Sequence, residues 1–152
     1  IPQLITGEPR EALGKMARML AGNPDAHMRV YGVTGTNGKT TTTTMTYEIL
    51  KEAGFNVGVG GNIGDSFAKQ VAIGKKRDYY VIEISSFQLD DIVGFKPNIA
   101  IITNITPDHL DRYDYDFGQY TASKFRITMN QDEKNMIRLE GKRGKLQLRL
   151  PN

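Results

Sequence analysis

The chain has 152 residues, 20 of them basic and 17 acidic, which gives a formal net charge of +3. This length favours a single domain over residues 1–152, and the absence of cysteine excludes a disulfide scaffold and cysteine-ligated zinc. No run reaches the roughly 20 apolar residues of a membrane span, and the first residues lack the pattern of a signal peptide. We therefore expect neither secretion nor membrane insertion, and the start at Ile1 without methionine predicts a fragment or a processed chain.

Apolar periodicity predicts helices and strands that alternate along the chain. The first helix covers residues 9–21, ends before Pro24 and has four apolar positions at helical spacing: Leu13, Met16, Ala17 and Leu20. The next elements are a strand at 28–34, helices at 39–53 and 65–73 with a strand at 56–60 between them, strands at 79–84 and 98–103, and a helix at 116–129. The last two strands are apolar enough to lie buried in a parallel sheet. This order predicts an α/β fold, a mostly parallel sheet flanked by helices.

The last segment carries the whole charge excess, with six basic and three acidic residues in 131–152. Its basic residues alternate with apolar ones, which predicts a C-terminal β-hairpin at about 136–149 with a turn at 141–144 and a solvated basic face. A nucleic-acid-binding surface would instead cluster basic and aromatic residues. We therefore expect no nucleic-acid partner.

The segment before the helix at 39–53 has the composition of a phosphate-binding loop. Its glycines allow successive N–H groups to turn towards one anion, and a helix N-terminus adds partial positive charge. Lys39 would bridge the β- and γ-phosphates of a nucleotide, and the Thr40 hydroxyl would hold Mg²⁺. The spacing is the short form G-x-x-G-K-T from Gly35, because Val33 occupies the first glycine position of the longer motif. A plain strand-turn-helix junction is the alternative, but five consecutive threonines are poor helix formers without a use for their hydroxyls.

Ionisable side chains follow both apolar strands, where open α/β sheets bind their ligands. Glu83 ends the run at 79–84, and we interpret it as a Mg²⁺ ligand facing Thr40, with a solvent-facing glutamate as the alternative. His109 follows the run at 98–103 and is either a ligand or an ordinary histidine.

Two further ionisable residues have less specific surroundings. Lys124 lies on a partly aromatic face of the helix at 116–129. It is either a snorkelling lysine whose stem covers that face or a lysine directed at the phosphate site. His27 lies in a predicted loop, and we interpret it as structural.

Together these segments resemble the Mur ligases, ATP-dependent enzymes that add amino acids to peptidoglycan precursors. TGTNGKTT is similar to the phosphate loop of the family. Four further segments look most like its D-glutamate-adding branch: GGNIGDS, VIEISSFQLDD, ITNITPDHLDRY and YTASKFRI. The similarity covers about residues 30–130 and implies the P-loop-type fold of the family's central ATP-binding domain.

The resemblance also implies roles for matching residues. Lys39, His109 and Lys124 would be catalytic, Thr40 and Glu83 would hold one Mg²⁺, and His109 would hold a second. Lys124 matches a lysine that CO₂ carbamylates, and the carbamate would help to position the second Mg²⁺. The expected contacts with the ATP phosphates are Gly35, Thr36, Asn37, Gly38, Lys39, Thr40 and Thr41.

The implied reaction joins D-glutamate to UDP-N-acetylmuramoyl-L-alanine through an acyl phosphate formed with ATP. Asn62 matches a residue that contacts the muramoyl substrate, and Ser85 would lie nearby. The resemblance implies a monomeric enzyme of the bacterial cytoplasm, whose partners are these two substrates and neither nucleic acid nor a membrane.

The chain departs from the family pattern in length. The N-terminal domain for the uridine nucleotide and the C-terminal domain for the amino acid do not fit in 152 residues, so we expect a truncated central ATPase domain with impaired turnover. The first segment and the tail LQLRLPN are more similar to the diaminopimelate- or lysine-adding branch, which predicts a chimeric chain. The alternatives are an engineered or minimal P-loop nucleotide-binding module without ligase turnover, and a folded scaffold without a ligand.

Overall fold

The computed structural model describes residues 28–74, 77–132, 138–142 and 145–149, together with five single positions between residues 12 and 22. Of the helix predicted at 9–21, Ala12, Met16, Met19 and Leu20 are helical, and the other positions lie outside the described residues. Leu20 is 85% exposed, so the described part of this helix does not bury its predicted apolar face. His27 also lies outside the described residues.

Four parallel strands form the central sheet: β1 (Arg29–Thr34), β2 (Val57–Gly61), β3 (Tyr79–Glu83) and β4 (Ile99–Ile102). Their order is β2-β3-β1-β4, so β1 lies between β3 and β4. The register pairs Val33 with Glu83 and Thr34 with Ile102. The carboxyl ends of these three strands therefore lie side by side, and the predicted α/β fold is confirmed.

Helices connect the strands: α1 (Lys39–Glu52), α2 (Phe67–Ala72), α3 (Ser86–Asp90) and α4 (Phe117–Phe125). The helix predicted at 116–129 ends as the 3₁₀ helix Arg126–Thr128. Neither α3 nor the 3₁₀ helix Leu110–Tyr113 follows from apolar periodicity, because about one turn is too short to show a repeat. No helix among the described residues combines the length and hydropathy that a transmembrane span needs.

Apolar side chains cover both faces of the sheet, as the alternation along each strand requires. Tyr80 and Ile82 belong to one buried cluster, and Tyr79 and Val81 belong to the other. All five residues of β3 are buried, as its apolar run predicts. Each large apolar side chain buried in this way stabilises the fold by about 1.5–3 kcal/mol.

The prediction that the run at 98–103 is equally buried is wrong. Every residue of β4 is at least partly exposed, and Ile99 is 41% exposed. The reason is topological, since β4 pairs only with β1 among the described residues.

The chain ends with two more strands, β5 (Arg138–Lys142) and β6 (Lys145–Arg149), which pair antiparallel with each other. Residues 143 and 144 and the side chains of both strands lie outside the described residues. The predicted turn and its solvated basic face therefore stay predictions.

Candidate functional site

The candidate site lies at the carboxyl ends of β1, β3 and β4, where three polar segments meet. The glycine-rich loop follows β1, Glu83 ends β3, and Thr103 and Asn104 follow β4. The strand order brings them together, because β1 is the neighbour of both other strands. This edge is where parallel sheets bind ligands.

The loop between β1 and α1 has the backbone of an anion-binding turn. Gly35 and Gly38 have φ angles of 139° and 78°, a region that residues with a Cβ rarely adopt. A Cβ on Gly35 would also collide with the Thr103 hydroxyl. Gly38 is the N-cap of α1, no described side chain caps this helix, and its first turn holds no acidic residue. The first N–H groups of α1 and their partial positive charge are therefore available to an anion.

Hydrogen bonds to Thr36 join the loop to its neighbours. The Thr36 hydroxyl donates to the Thr106 carbonyl and accepts from the Thr106 N–H, both at 3.0 Å. Its single proton is then in use, so the Tyr120 hydroxyl, 2.9 Å away, donates the third bond. Burial raises the pKa of Tyr120, which keeps this donor protonated.

Lys39 lies across its own loop. Its Nζ donates to the Thr36 carbonyl at 2.8 Å. The ammonium group therefore lies beside the N-terminus of α1. An anion bound there would interact with both the Lys39 charge and the partial positive charge of the helix N-terminus.

Glu83 is buried, with 2% of its surface exposed, although it carries a carboxyl group. Its Oε2 accepts from the Thr40 hydroxyl at 2.8 Å, and its Oε1 accepts from Asn62 Nδ2 at 3.1 Å. The structure thus brings Thr40 and Glu83 into contact, and the alternative of a solvent-facing glutamate is wrong. A hydroxyl and a carboxylate are oxygen ligands of the type that Mg²⁺ prefers.

Lys124 is 2% exposed, so the interpretation as a snorkelling lysine is wrong. Its Nζ donates to the Gly35 carbonyl at 2.8 Å and lies 4.7 Å from the centre of the Tyr120 ring. Burial first, and the charge of Lys39 second, lower the pKa of Lys124 to about 8, while the Asp108 carboxylate acts in the opposite direction. The lysine therefore reaches the loop, and its predicted catalytic role stays a prediction.

His109 is not part of these contacts. Its side chain is 66% exposed, and its Nε2 lies 3.6 Å from an oxygen of Asp108. Among the residues that the structure describes, no three histidine, aspartate or glutamate side chains cluster as a metal site. The predicted second cation site, with His109 and Lys124, therefore stays a prediction.

Ser85 serves as a helix cap in this structure. Its backbone N–H and its hydroxyl both lie 2.9 Å from Gln88 Oε1, in the capping box that begins α3. The predicted contact of Ser85 with substrate stays a prediction.

Three residues of the site do not follow from the loop motif. Tyr120 bonds to the loop, Asp108 influences the pKa of Lys124, and the Asn104 amide bonds to the backbone of Asn37. The available signal is positional, because Asn104 and Asp108 are polar residues that closely follow an apolar strand of a parallel sheet.

A parallel sheet in which a glycine-rich loop leads into an uncapped helix defines the P-loop class of α/β folds. Residues 33–142 match the Mur ligase middle domain. Because this match covers more than half of the chain, the chain belongs to that family.

Curated relatives of the same family are highly similar to the matched part of this chain. UDP-N-acetylmuramoylalanine–D-glutamate ligase of Christiangramia forsetii is 61% identical over 106 residues, which are 70% of this chain and 24% of that protein. The ligase of the same name from Bacteroides fragilis is 62% identical over 99 residues, 65% of this chain and 22% of that protein. The chain thus spans about a quarter of the length of these relatives.

A solved structure supports the fold assignment. MurF ligase from Thermotoga maritima, determined in complex with ADP, has a TM-score of 0.62 and 26% sequence identity to this chain. The similarity covers 86% of this chain and 32% of the MurF chain.

Proposed function

We propose that this chain is the ATP-binding core of a ligase that joins D-glutamate to UDP-N-acetylmuramoyl-L-alanine. The observation that supports it most is the loop before α1, where the uncapped start of the helix and the Lys39 ammonium lie together and can bind one anion. Relatives named for this activity are 61% and 62% identical to the matched part of the chain. The similar MurF structure contains ADP, which is a nucleotide of the expected kind.

In this proposal the loop residues 35–41 hold the phosphates of ATP. The N–H groups at the start of α1 donate to phosphate oxygens, and Lys39 exchanges its Thr36 carbonyl for a phosphate oxygen. Fixed donors of this kind orient the γ-phosphoryl group and stabilise the charge that shifts during its transfer.

Thr40 and Glu83 are the residues that would hold Mg²⁺. Their side-chain oxygens are already 2.8 Å apart, and a buried carboxylate gains from a cation that replaces its hydrogen-bond donor. When bound, Mg²⁺ neutralises charge on the phosphoryl group. We assign no step to His109, because its side chain faces Asp108 and solvent.

Carbamylation of Lys124 is part of the proposal. Its depressed pKa of about 8 leaves a larger fraction of neutral amine than an ordinary lysine has. That amine attacks the carbon of CO₂, which forms an N–C bond and releases one proton from nitrogen. A carbamate carbon signal in NMR spectra under ¹³CO₂, lost in Lys124→Met, is the expected result.

The proposed reaction has two displacements. The L-alanyl carboxylate attacks the γ-phosphorus of ATP and displaces ADP, and the amine of D-glutamate then attacks the acyl phosphate and displaces phosphate. Asn62, which touches Glu83, and Ser85 are the proposed contacts with the muramoyl substrate.

Nucleotide binding without ligase turnover is the second candidate function. It is favoured by one observation, that the contacts of the site assemble the loop, Lys39 and the Thr40 and Glu83 pair, which nucleotide binding alone requires. Binding and turnover therefore need separate measurements.

Calorimetric titration with Mg²⁺ and ADP tests binding in the wild type, Lys39→Ala and Lys51→Ala. Lys51 is the matched control, since it is a lysine in the last turn of the same helix. We expect at least tenfold weaker binding in Lys39→Ala only. Phosphate release with ATP and both substrates would then support the ligase, binding without release would support the second candidate, and no binding by the wild type would overturn both.

A further inference from the structure

The segment after β4 continues the pairing of β4 with β1 beyond the end of the sheet. Within the sheet, Thr34 lies opposite Ile102. Beyond it, the Thr103 N–H donates to the Thr34 carbonyl at 3.0 Å, and the Thr36 N–H donates to the Asn104 carbonyl at 2.9 Å. Backbone hydrogen bonds therefore join the glycine-rich loop to the segment after β4 as far as Thr36.

At Asn37 a side chain takes over from the backbone. The Asn37 N–H donates to Asn104 Oδ1 at 2.9 Å, and Asn104 Nδ2 donates to the Asn37 carbonyl at 2.9 Å. One amide group thus reproduces the donor and acceptor pattern of a β-ladder. The orientation of the amide is determined by these bonds, because a flipped amide would place two donors and two acceptors against each other.

This pair sets the direction of the next backbone donor. A trans peptide holds its C=O and N–H on opposite sides, and the described chain contains no cis peptide. Since Asn104 and the Thr103 hydroxyl, at 2.6 Å, both hold the Asn37 carbonyl, the Gly38 N–H points away from the segment after β4. That N–H belongs to the N-cap of α1, where the anion-binding donors begin.

We propose that Asn104 is a positioning residue, which holds the peptide between Asn37 and Gly38 in the orientation that an incoming phosphate requires. The inference rests on the proposed function of the loop as a phosphate site. Asn37 is exposed, so water competes for its N–H and C=O once the amide is removed. Without the Asn104 amide, the Gly38 N–H has no fixed orientation. Phosphate binding is then weakened by the free energy needed to order this donor.

The experiment compares Asn104→Leu with Asn98→Leu in the full chain. Leucine keeps the size of asparagine, removes both halves of the amide and adds no charge beside an anion site. Asn98 is the matched control, because its Oδ1 accepts the Val30 N–H at 2.7 Å just before β4 begins. Both variants therefore lose a side-chain bond to the segment formed by β1 and its loop, at opposite ends of the same pairing.

The readouts are the dissociation constant for ADP with Mg²⁺, hydrogen exchange of the Asn37 and Val30 amides, and the thermal midpoint. Asn104→Leu should bind ADP about tenfold more weakly and lose exchange protection at Asn37. Asn98→Leu should lose protection at Val30 and keep the ADP affinity of the wild type, at a similar thermal midpoint.

Equal ADP affinity in Asn104→Leu and wild type would overturn the inference, and so would an equal loss in Asn98→Leu. Absence of ADP binding in the wild type would instead count against the proposed function. Exchange at Asn37 needs no ligand, so it still tests whether Asn104 orders this peptide, and fast exchange in the wild type would overturn the inference independently of the proposed function. Should Asn104→Leu not fold, fast exchange of the Asn37 amide in the wild type would still refute the positioning role of Asn104, and slow exchange would support the ordered peptide on which that role depends.

Discussion

The buried ammonium of Lys124 makes the stability of this protein depend on pH in an unusual direction. Folding lowers the pKa of Lys124 from 10.5 to about 8. Between these values the unfolded chain binds more protons than the folded chain, so the free energy of unfolding rises with pH. Below pH 8 both states are protonated, and the full penalty for burying the charge is present.

The size of the effect follows from the two pKa values. One pKa unit corresponds to about 1.4 kcal/mol, so the gain from pH 7 to pH 9.5 is about 2 kcal/mol. Burial raises the pKa values of Tyr31, Tyr80 and Tyr120. The folded phenols therefore stay protonated, while the unfolded ones begin to ionise near pH 9.5 and reduce the gain by about 0.5 kcal/mol.

The assay is urea unfolding at several pH values in buffer free of CO₂, for the wild type, Lys124→Met and Lys51→Met. Lys124→Met should lose the rise with pH. Lys51→Met should keep it, because Lys51 is an exposed lysine of α1 whose pKa is raised by Glu48. A difference between the wild type and Lys124→Met that does not change with pH would refute the reasoning.

Three further predictions concern the supports of the loop. Gly35→Ala should abolish ADP binding and lower the free energy of unfolding by about 3 kcal/mol, because its Cβ would collide with Thr103. The control Gly54→Ala, at an open position with positive φ, should lower it by only about 1 kcal/mol. Equal losses of the two variants in urea unfolding would contradict this prediction. Glu83→Gln should remove most of the Mg²⁺ dependence of ADP binding, since an amide is a weaker cation ligand than a carboxylate, and titration with and without Mg²⁺ measures it; an unchanged dependence would count against the Thr40 and Glu83 pair as the cation site. Tyr120→Phe removes the hydroxyl that donates to Thr36 in the loop and should lower the free energy of unfolding by about 1 kcal/mol in urea unfolding. An unchanged free energy of unfolding would show that this hydrogen bond does not stabilise the loop.

The parts of the fold that depend on local pattern could be predicted from the sequence. The alternation of apolar runs with helical periodicity gives the parallel sheet and its main helices. The phosphate loop is equally local, since its glycines, Lys39 and Thr40 are adjacent in the chain. Glu83 could be placed because it ends a strongly apolar strand.

Properties that depend on packing could not be predicted. Apolar composition indicates that β4 is a strand and gives no information on how many neighbours it has, so its exposure at Ile99 follows only from the strand order. Helical spacing places Lys124 on a face of α4 without showing how deeply that face is buried. His109 itself has a positive φ of 48°, and the motif alone does not show this backbone conformation or the exposure of its side chain.

The supports of the glycine loop come from far along the chain. Lys124 and Gly35 are 89 positions apart, and Asn37 and Asn104 are 67 positions apart. Contacts of such long range form late, because the intervening chain must be ordered first. On the ribosome, a nascent chain would display the loop sequence well before its shape exists. Capture of ADP by stalled chains of increasing length should therefore begin only after α4 has emerged, which would make nucleotide binding a marker of completed folding.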